Sequence, residues 1–113
     1  GHPPGLLLAG PQGAVPELTR LDSQGPPIGW ELGLPFETTT VTVDPDARLF
    51  VFSDGVFEIA KTDGETWPFD EFLQFMSAIP PGVNAMEHLL AHARQLYGAD
   101  VLADDFSIVA FAF

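Results

Sequence analysis

The sequence predicts an α+β fold, a sheet with helices on one face and a second sheet on the other. Three observations carry this. Residues 48–53 and 106–113 are apolar on both of their alternating faces, a pattern that needs a covering layer on each side. Two amphipathic helical patterns lie between those segments. Eleven Gly and eleven Pro, with no collagen-like period, interrupt the chain often enough to keep every element short.

The apolar run of residues 5–9, bounded by Pro3-Pro4 and Gly10-Pro11, reads as a buried strand. The turn residues Gly10-Pro11-Gln12-Gly13 then lead into a more polar strand over 14–21, which makes a hairpin with the first. Residues 22–35 form a Gly/Pro-rich loop centred on Pro26-Pro27-Ile28-Gly29, with Trp30, Leu32 and Leu34 expected to tuck beneath it. A second hairpin is predicted from the β-branched run 38–43, the turn Asp44-Pro45-Asp46-Ala47 and the strand 48–53. In the returning strand, Leu49 and Val51 oppose Phe50 and Phe52.

The first helix has Pro68 at its first position, Asp70 and Glu71 in its first turn, and a stripe of Phe69, Phe72, Leu73 and Met76. Pro80-Pro81-Gly82 stops it. The second opens at Asn84 with Glu87 three residues on, close to a capping box. Met86, Leu89, Leu90, Ala93, Leu96 and Tyr97 make its apolar face, and Gly98 suits the position after its end. The last strand, 106–113, sets Phe106, Ile108 and Ala110 against Val109, Phe111 and Phe113. The order is β-β-β-β-α-α-β, without a repeat or a linker.

At 113 residues the chain is at most one domain, and 46% hydrophobic content against 18% charged excludes disorder through low hydrophobicity. The formal charge of −12 repels nucleic-acid phosphates and anionic lipid, and suits divalent cations or a basic partner. No cysteine is present, so disulfides, thiolate zinc sites and cysteine nucleophiles are excluded. No run approaches the roughly 20 apolar residues that span a bilayer. No signal peptide is visible either, and a cytoplasmic location is expected. The chain opens Gly1-His2 without Met, which marks it as processed or as a piece of something longer.

Two acidic positions stand out. Asp54 ends a strand apolar on both faces and is followed by Gly55; Asp104-Asp105 stands just before the last strand. Carboxylates at the ends of neighbouring buried strands can converge, and hard cations such as Mg²⁺ or Mn²⁺ take such oxygen ligands. The alternative is that Asp-Gly makes a turn and Asp-Asp caps a loop. Among other candidates, His88 and His92 share a helix face by their spacing, expected to be the polar, solvated one, and no zinc-protease pattern surrounds them. His2 supports the first strand or is a tag remnant. Trp30 and Trp67 flank Pro/Gly loops and cover the core or face a partner. Ser23, Ser53 and Ser77 lack any motif of a nucleophile.

Several segments together resemble a known family. Gly1-His2-Pro3-Pro4-Gly5-Leu6-Leu7-Leu8 is similar to the Gly-His-x-Pro strand of bacterial PP2C-type serine phosphatases of the SpoIIE/RsbU kind, and Pro27-Ile28-Gly29 to their Pro-Leu-Gly loop. Residues 44–58, from Asp44-Pro45-Asp46 through Ser53-Asp54-Gly55-Val56-Phe57-Glu58, resemble their Pro-Gly-Asp-x-Leu and Thr-Asp-Gly-Val-Thr-Glu segment. Asp63-Gly64-Glu65 with its following aromatic helix fits as well, and Asp104-Asp105-Phe106-Ser107 is close to their Asp-Asp-Ile-Thr. These landmarks occur in the family's order along the whole chain.

The resemblance implies a PP2C-like sandwich of antiparallel sheets flanked by helices, four layers in the order α/β/β/α. It implies Mn²⁺- or Mg²⁺-dependent hydrolysis of phosphoserine or phosphothreonine on a protein, such as a STAS-type anti-sigma-factor antagonist, in bacterial signal transduction and stress response. A metal-bound water attacks phosphorus with no phosphoenzyme in that family. Its metal-binding aspartates fall on Asp54 and Asp104, with Asp105 and Gly55 as candidate supports. An upstream sensory or receiver domain is common to such proteins.

Departures are Ser53 and Phe57 where Thr is usual, and Trp67-Pro68-Phe69 where Phe-Gly is usual. Phe57 beside the metal loop suggests an altered substrate contact or a degenerate site. Nothing corresponds to the family's further metal aspartate, in an Asp-x-x-Gly-His-Gly-like segment. Residues 1–113 are therefore expected to be the C-terminal portion of one PP2C-like domain, inactive alone, with apolar sheet surface that the other half or a second copy covers. The rival expectation is a non-catalytic PP2C-like adaptor that binds a signalling partner.

Overall fold

A computed structural model describes residues 2–10, 17–22, 25, 29–30, 33, 35–80 and 82–113. Strands β1 (Gly5–Ala9), β2 (Glu17–Leu21), β3 (Arg48–Phe52) and β4 (Ile108–Ala112) form one antiparallel sheet in the order β2-β1-β3-β4. Helices α1 (Phe69–Ser77) and α2 (Ala85–Tyr97) lie between β3 and β4 in sequence. The α+β architecture is as the sequence predicts, and so are the β1–β2 hairpin and β3. Residues 11–16, Leu32, Leu34 and the centre of the Pro-rich loop lie outside the described residues.

Register sets the faces. Leu6 pairs with Phe50, Leu8 with Leu18, and Phe52 with Ile108, so these side chains share one side of the sheet. They meet Val56, Ile59, Trp67, Phe72, Met76, Ile79, Leu89 and Ala93 in a single core. The opposite side carries Leu7, paired with Leu49, then Phe111 opposite Leu49 and Val109 opposite Val51. Leu7 is buried, whereas Val109 and Phe111 are about half exposed and Phe113 is 56% exposed. One sheet is present among the described residues. The predicted second sheet on that face is therefore absent from them, and the β4 part of the face stays apolar and open.

Residues 38–43 were expected to pair with β3, yet they form no strand and are exposed throughout. β1 and β4 occupy both flanks of β3, so the run has no ladder to join, and β-branching alone does not make a strand. The turn at 44–47 does form: the Ala47 amide donates to the Asp44 carbonyl at 3.2 Å, with Asp46 at φ 68°. Trp30 does not tuck in but stands 65% exposed.

Pro68 caps α1 rather than occupying its first turn, because its ψ of 140° is extended while φ stays at −65°. Phe72 and Met76 are buried, Phe69 and Leu73 half-buried, so the stripe faces the core as its spacing requires. In α2 the Asn84 carboxamide oxygen accepts from the Met86 and Glu87 amides, each at 3.1 Å. Leu89 and Ala93 are buried, but Met86 is 39% exposed and stands outside the apolar face assigned to it. It lies in the first turn, next to the cap and off the sheet. Gly98 ends the helix in the left-handed region at φ 81°. Asn84→Ala is expected to cost about 1 kcal/mol through loss of both cap bonds, read as a lower urea midpoint at unchanged m.

Candidate functional site

The antiparallel register brings four strand termini to one end of the sheet: the start of β1, the end of β2, the end of β3 and the start of β4. Both acidic motifs lie at that end. Past β3, the Ser53 amide donates to the Ser107 carbonyl at 2.9 Å, and the Ser107 amide donates to Ser53 Oγ at 3.3 Å. The β3–β4 ladder thus runs one rung further, closed by a hydroxyl. Ser53 was set aside in the sequence for lack of a nucleophile motif; its role here is a clamp, and Ser107 in the matching position of the other motif was the available signal.

Asp54 opens a single 3₁₀ turn, Asp54–Val56, whose carbonyl accepts from the Phe57 and Glu58 amides at 3.2 and 2.9 Å. Its side chain is left exposed. Gly55 is buried, and a Cβ built on it would run into the Asp105 carbonyl oxygen and lie 3.5 Å from Asp104 Cγ. The backbone of one acidic motif therefore rests directly on the backbone of the other, as only glycine permits. Asp104 Oδ1 accepts from the Asp105 amide at 2.7 Å, which fixes that carboxylate from within its own loop. Asp104 and Asp105 are both exposed. The ion pairs among the described residues, Arg20–Asp22 and Lys61–Asp63, involve none of these three aspartates.

Phe57 turns away from the acidic loop. Its ring stands 4.8 Å from that of Phe69, 5.6 Å from Phe72 and 6.0 Å from Phe52. The ring that replaces Thr thus packs on the aromatic core. His88 is exposed, as a solvated face requires, whereas His92 is half-buried and both rings lie against aromatic ones. His92 lies 4.4 Å from Phe75 at an interplanar angle of 17°, and 5.2 Å from Trp67. His88 lies 5.3 Å from Phe75 at 16°. The cause is Phe75, which projects from α1 outside the stripe read from the sequence.

The sequence model of the SpoIIE family (Stage II sporulation protein E) matches residues 1–113. The chain belongs to this family. No curated protein and no solved structure gives a significant match. Membership in the SpoIIE family makes this a PP2C-like phosphatase-type chain, and the sheet with two helices is part of that fold.

PP2C-like domains generally use Mn²⁺ or Mg²⁺, and the donors on the two loops are of the right kind: hard carboxylate oxygens, exposed, on loops whose backbones meet at Gly55. They make only part of a coordination sphere. Among the described residues no group of three or more His, Cys, Asp or Glu is placed to hold a metal. Among the same residues no helix is long and apolar enough to cross a membrane.

Proposed function

We propose that this SpoIIE-family chain is the C-terminal portion of a metal-dependent protein serine/threonine phosphatase domain. The reading is carried by the contact of Gly55 with the Asp104–Asp105 backbone. Asp54 and Asp104 would hold Mn²⁺ or Mg²⁺, with Asp105 supporting Asp104 through its amide and Gly55 keeping the two loops in register. When bound, the metals supply a water of lowered pKa and offset charge on the phosphoryl oxygens. The chain's own work is to hold the carboxylates together: the Ser53–Ser107 clamp fixes the strand ends, and the 3₁₀ turn presents Asp54 outward. The substrate is a phosphoserine protein, such as an anti-sigma-factor antagonist. The remaining metal aspartate belongs to an upstream segment of the complete domain, so activity is expected there and not from residues 1–113 alone.

The test is phosphoserine-peptide hydrolysis with Mn²⁺ by the protein carrying the complete domain. Asp54→Ala is expected to lower kcat at least about 100-fold, since even outer-shell changes cost 10–100-fold, while thermal unfolding without metal stays where it was. Unchanged hydrolysis would sink the assignment of Asp54. A complete domain that binds a signalling partner but hydrolyses nothing under any divalent cation would favour the adaptor reading.

A further inference from the structure

β4 is the last strand on its side of the sheet: among the described residues it pairs with β3 alone, and its other edge is open. The hydrogen bonds to β3 show which groups that edge presents. The Ser53 amide donates to the Ser107 carbonyl at 2.9 Å, and the Phe113 amide donates to the Ala47 carbonyl at 3.1 Å. Main-chain groups alternate along an antiparallel ladder, so Ser107, Val109, Phe111 and Phe113 point theirs at β3. Ile108, Ala110 and Ala112 therefore direct their N–H and C=O groups outward. Edge strands are ordinarily guarded by charge, proline or a bulge. The opposite edge follows that rule, with Glu17 and Arg20 exposed on β2. β4 carries neither a charge nor a proline, and its pairing with β3 runs from Ile108 to Ala112 without a bulge.

We propose that the open edge of β4 pairs antiparallel with β4 of a second copy of this chain, joining two four-stranded sheets into one across a two-fold axis at Ala110. The strand matches itself in that register. Ala110 faces Ala110 and Ile108 faces Ala112, and these are the residues whose main-chain groups point outward, so each pair exchanges both of its bonds. A centre at Val109 or Phe111 would leave one of the outward residues unpaired within the strand. On the open side of the sheet, Val109 of each copy stands beside Phe111 of the other at the closer, non-hydrogen-bonded spacing, a favourable β-branched and aromatic pair. Val109 and Phe111 are 52% and 49% exposed in the single chain, so the pairing covers apolar surface left bare among the described residues. The formal charge of −12 does not oppose it, because no residue from Phe106 to Phe113 is charged. The register sends Asp104 and Asp105 of the two copies to opposite ends, about 30 Å apart along the strands. That is well beyond the screening length of about 8 Å at physiological salt. A single strand pair is a small interface, so the association is weak and set by concentration.

Amide exchange of the 113-residue chain reads the register residue by residue. Between about 10 μM and about 1 mM, the Ile108, Ala110 and Ala112 amides are expected to slow at least about threefold by mass action, while Val109 and Phe111, already bonded to β3, stay as they are. Sedimentation over the same range is expected to move from monomer to dimer. V109K/F111K sets like charges opposite one another across the strand pair and keeps the chain monomeric, and V109E/F111E does the same. An equimolar mixture of the two restores the dimer, which a folding defect in either could not do. A parent chain that stays monomeric throughout overturns the proposal, as does a dimer in which the Ile108, Ala110 and Ala112 amides exchange at the monomer's rate. So does a mixture that fails to associate. In the protein carrying the complete domain, a monomer with these amides protected at every concentration would place an upstream segment on this edge and overturn the pairing of copies.

Discussion

Gly55→Ala is expected to destabilise the chain by at least about 2 kcal/mol, a large effect for one methyl group. The added carbon would occupy the position of the Asp105 carbonyl oxygen. That obstacle is main chain and not the end of a flexible side chain, so no rotamer change relieves it. One of the two loops must move, and the Ser53–Ser107 pair stands directly behind both. The expected result is a lower urea midpoint together with loss of amide protection at Ser53 and Ser107, while β1–β2 protection falls less. Gly64→Ala is a useful comparison. Gly64 has φ 87° with nothing near its missing Cβ, so it carries the backbone penalty without the collision. Equal losses at the two glycines would show that the acidic loops do not rest on one another.

Phe72→Ala should cost about 3–5 kcal/mol, the range for deleting a buried phenyl ring. Phe72 has no exposed surface, and its ring meets four others: Phe52 at 5.2 Å, Phe57 and Trp67 at 5.6 Å, and Phe69 at 5.7 Å. These come from β3, the acidic turn's end, the 59–67 hairpin and α1, so the void cannot close by moving one element. Against a total of roughly 5–15 kcal/mol for a small domain, the loss leaves little margin. Phe72→Leu, which keeps most of the volume, should lose less than half as much. Denaturation midpoints at unchanged m check both; a Phe72→Ala loss below about 1 kcal/mol would contradict the packing described.

The parts of the fold that were legible in the sequence are those whose pattern is local. β1, β3, β4, both helices, the Asn84 cap and the Gly98 stop each follow from residues within a turn or two of one another. The pairing of strands was less legible, because it depends on competition. Residues 38–43 look more strand-like than β2, yet β2 reaches the free edge of β1 and they reach no edge. The acidic motifs could be named from their positions at strand ends. Their contact could not, since it depends on a glycine whose partner is fifty residues away. The half-burial of His92 was not legible for a related reason: helical spacing shows that it shares a face with the exposed His88, while a phenylalanine on another helix decides what that face meets.

The clamp between Ser53 and Ser107 spans 54 positions of sequence, and that separation has a consequence for synthesis. The Asp54 turn leaves the ribosome well before β4, its stabilising neighbour. At 5–20 residues per second, the turn waits roughly 3–10 s before the second acidic motif exists to meet it. Throughout that interval the β4-facing edge of β3 is an unpaired apolar edge, the kind of surface that captures other chains. The two helices made in the meantime can already cover Phe50 and Phe52, since their core partners Phe72, Met76 and Leu89 precede β4. The order of elements along the chain thus lets half of the sheet be shielded before its last strand arrives, and leaves the assembly of the acidic site as the late event of folding.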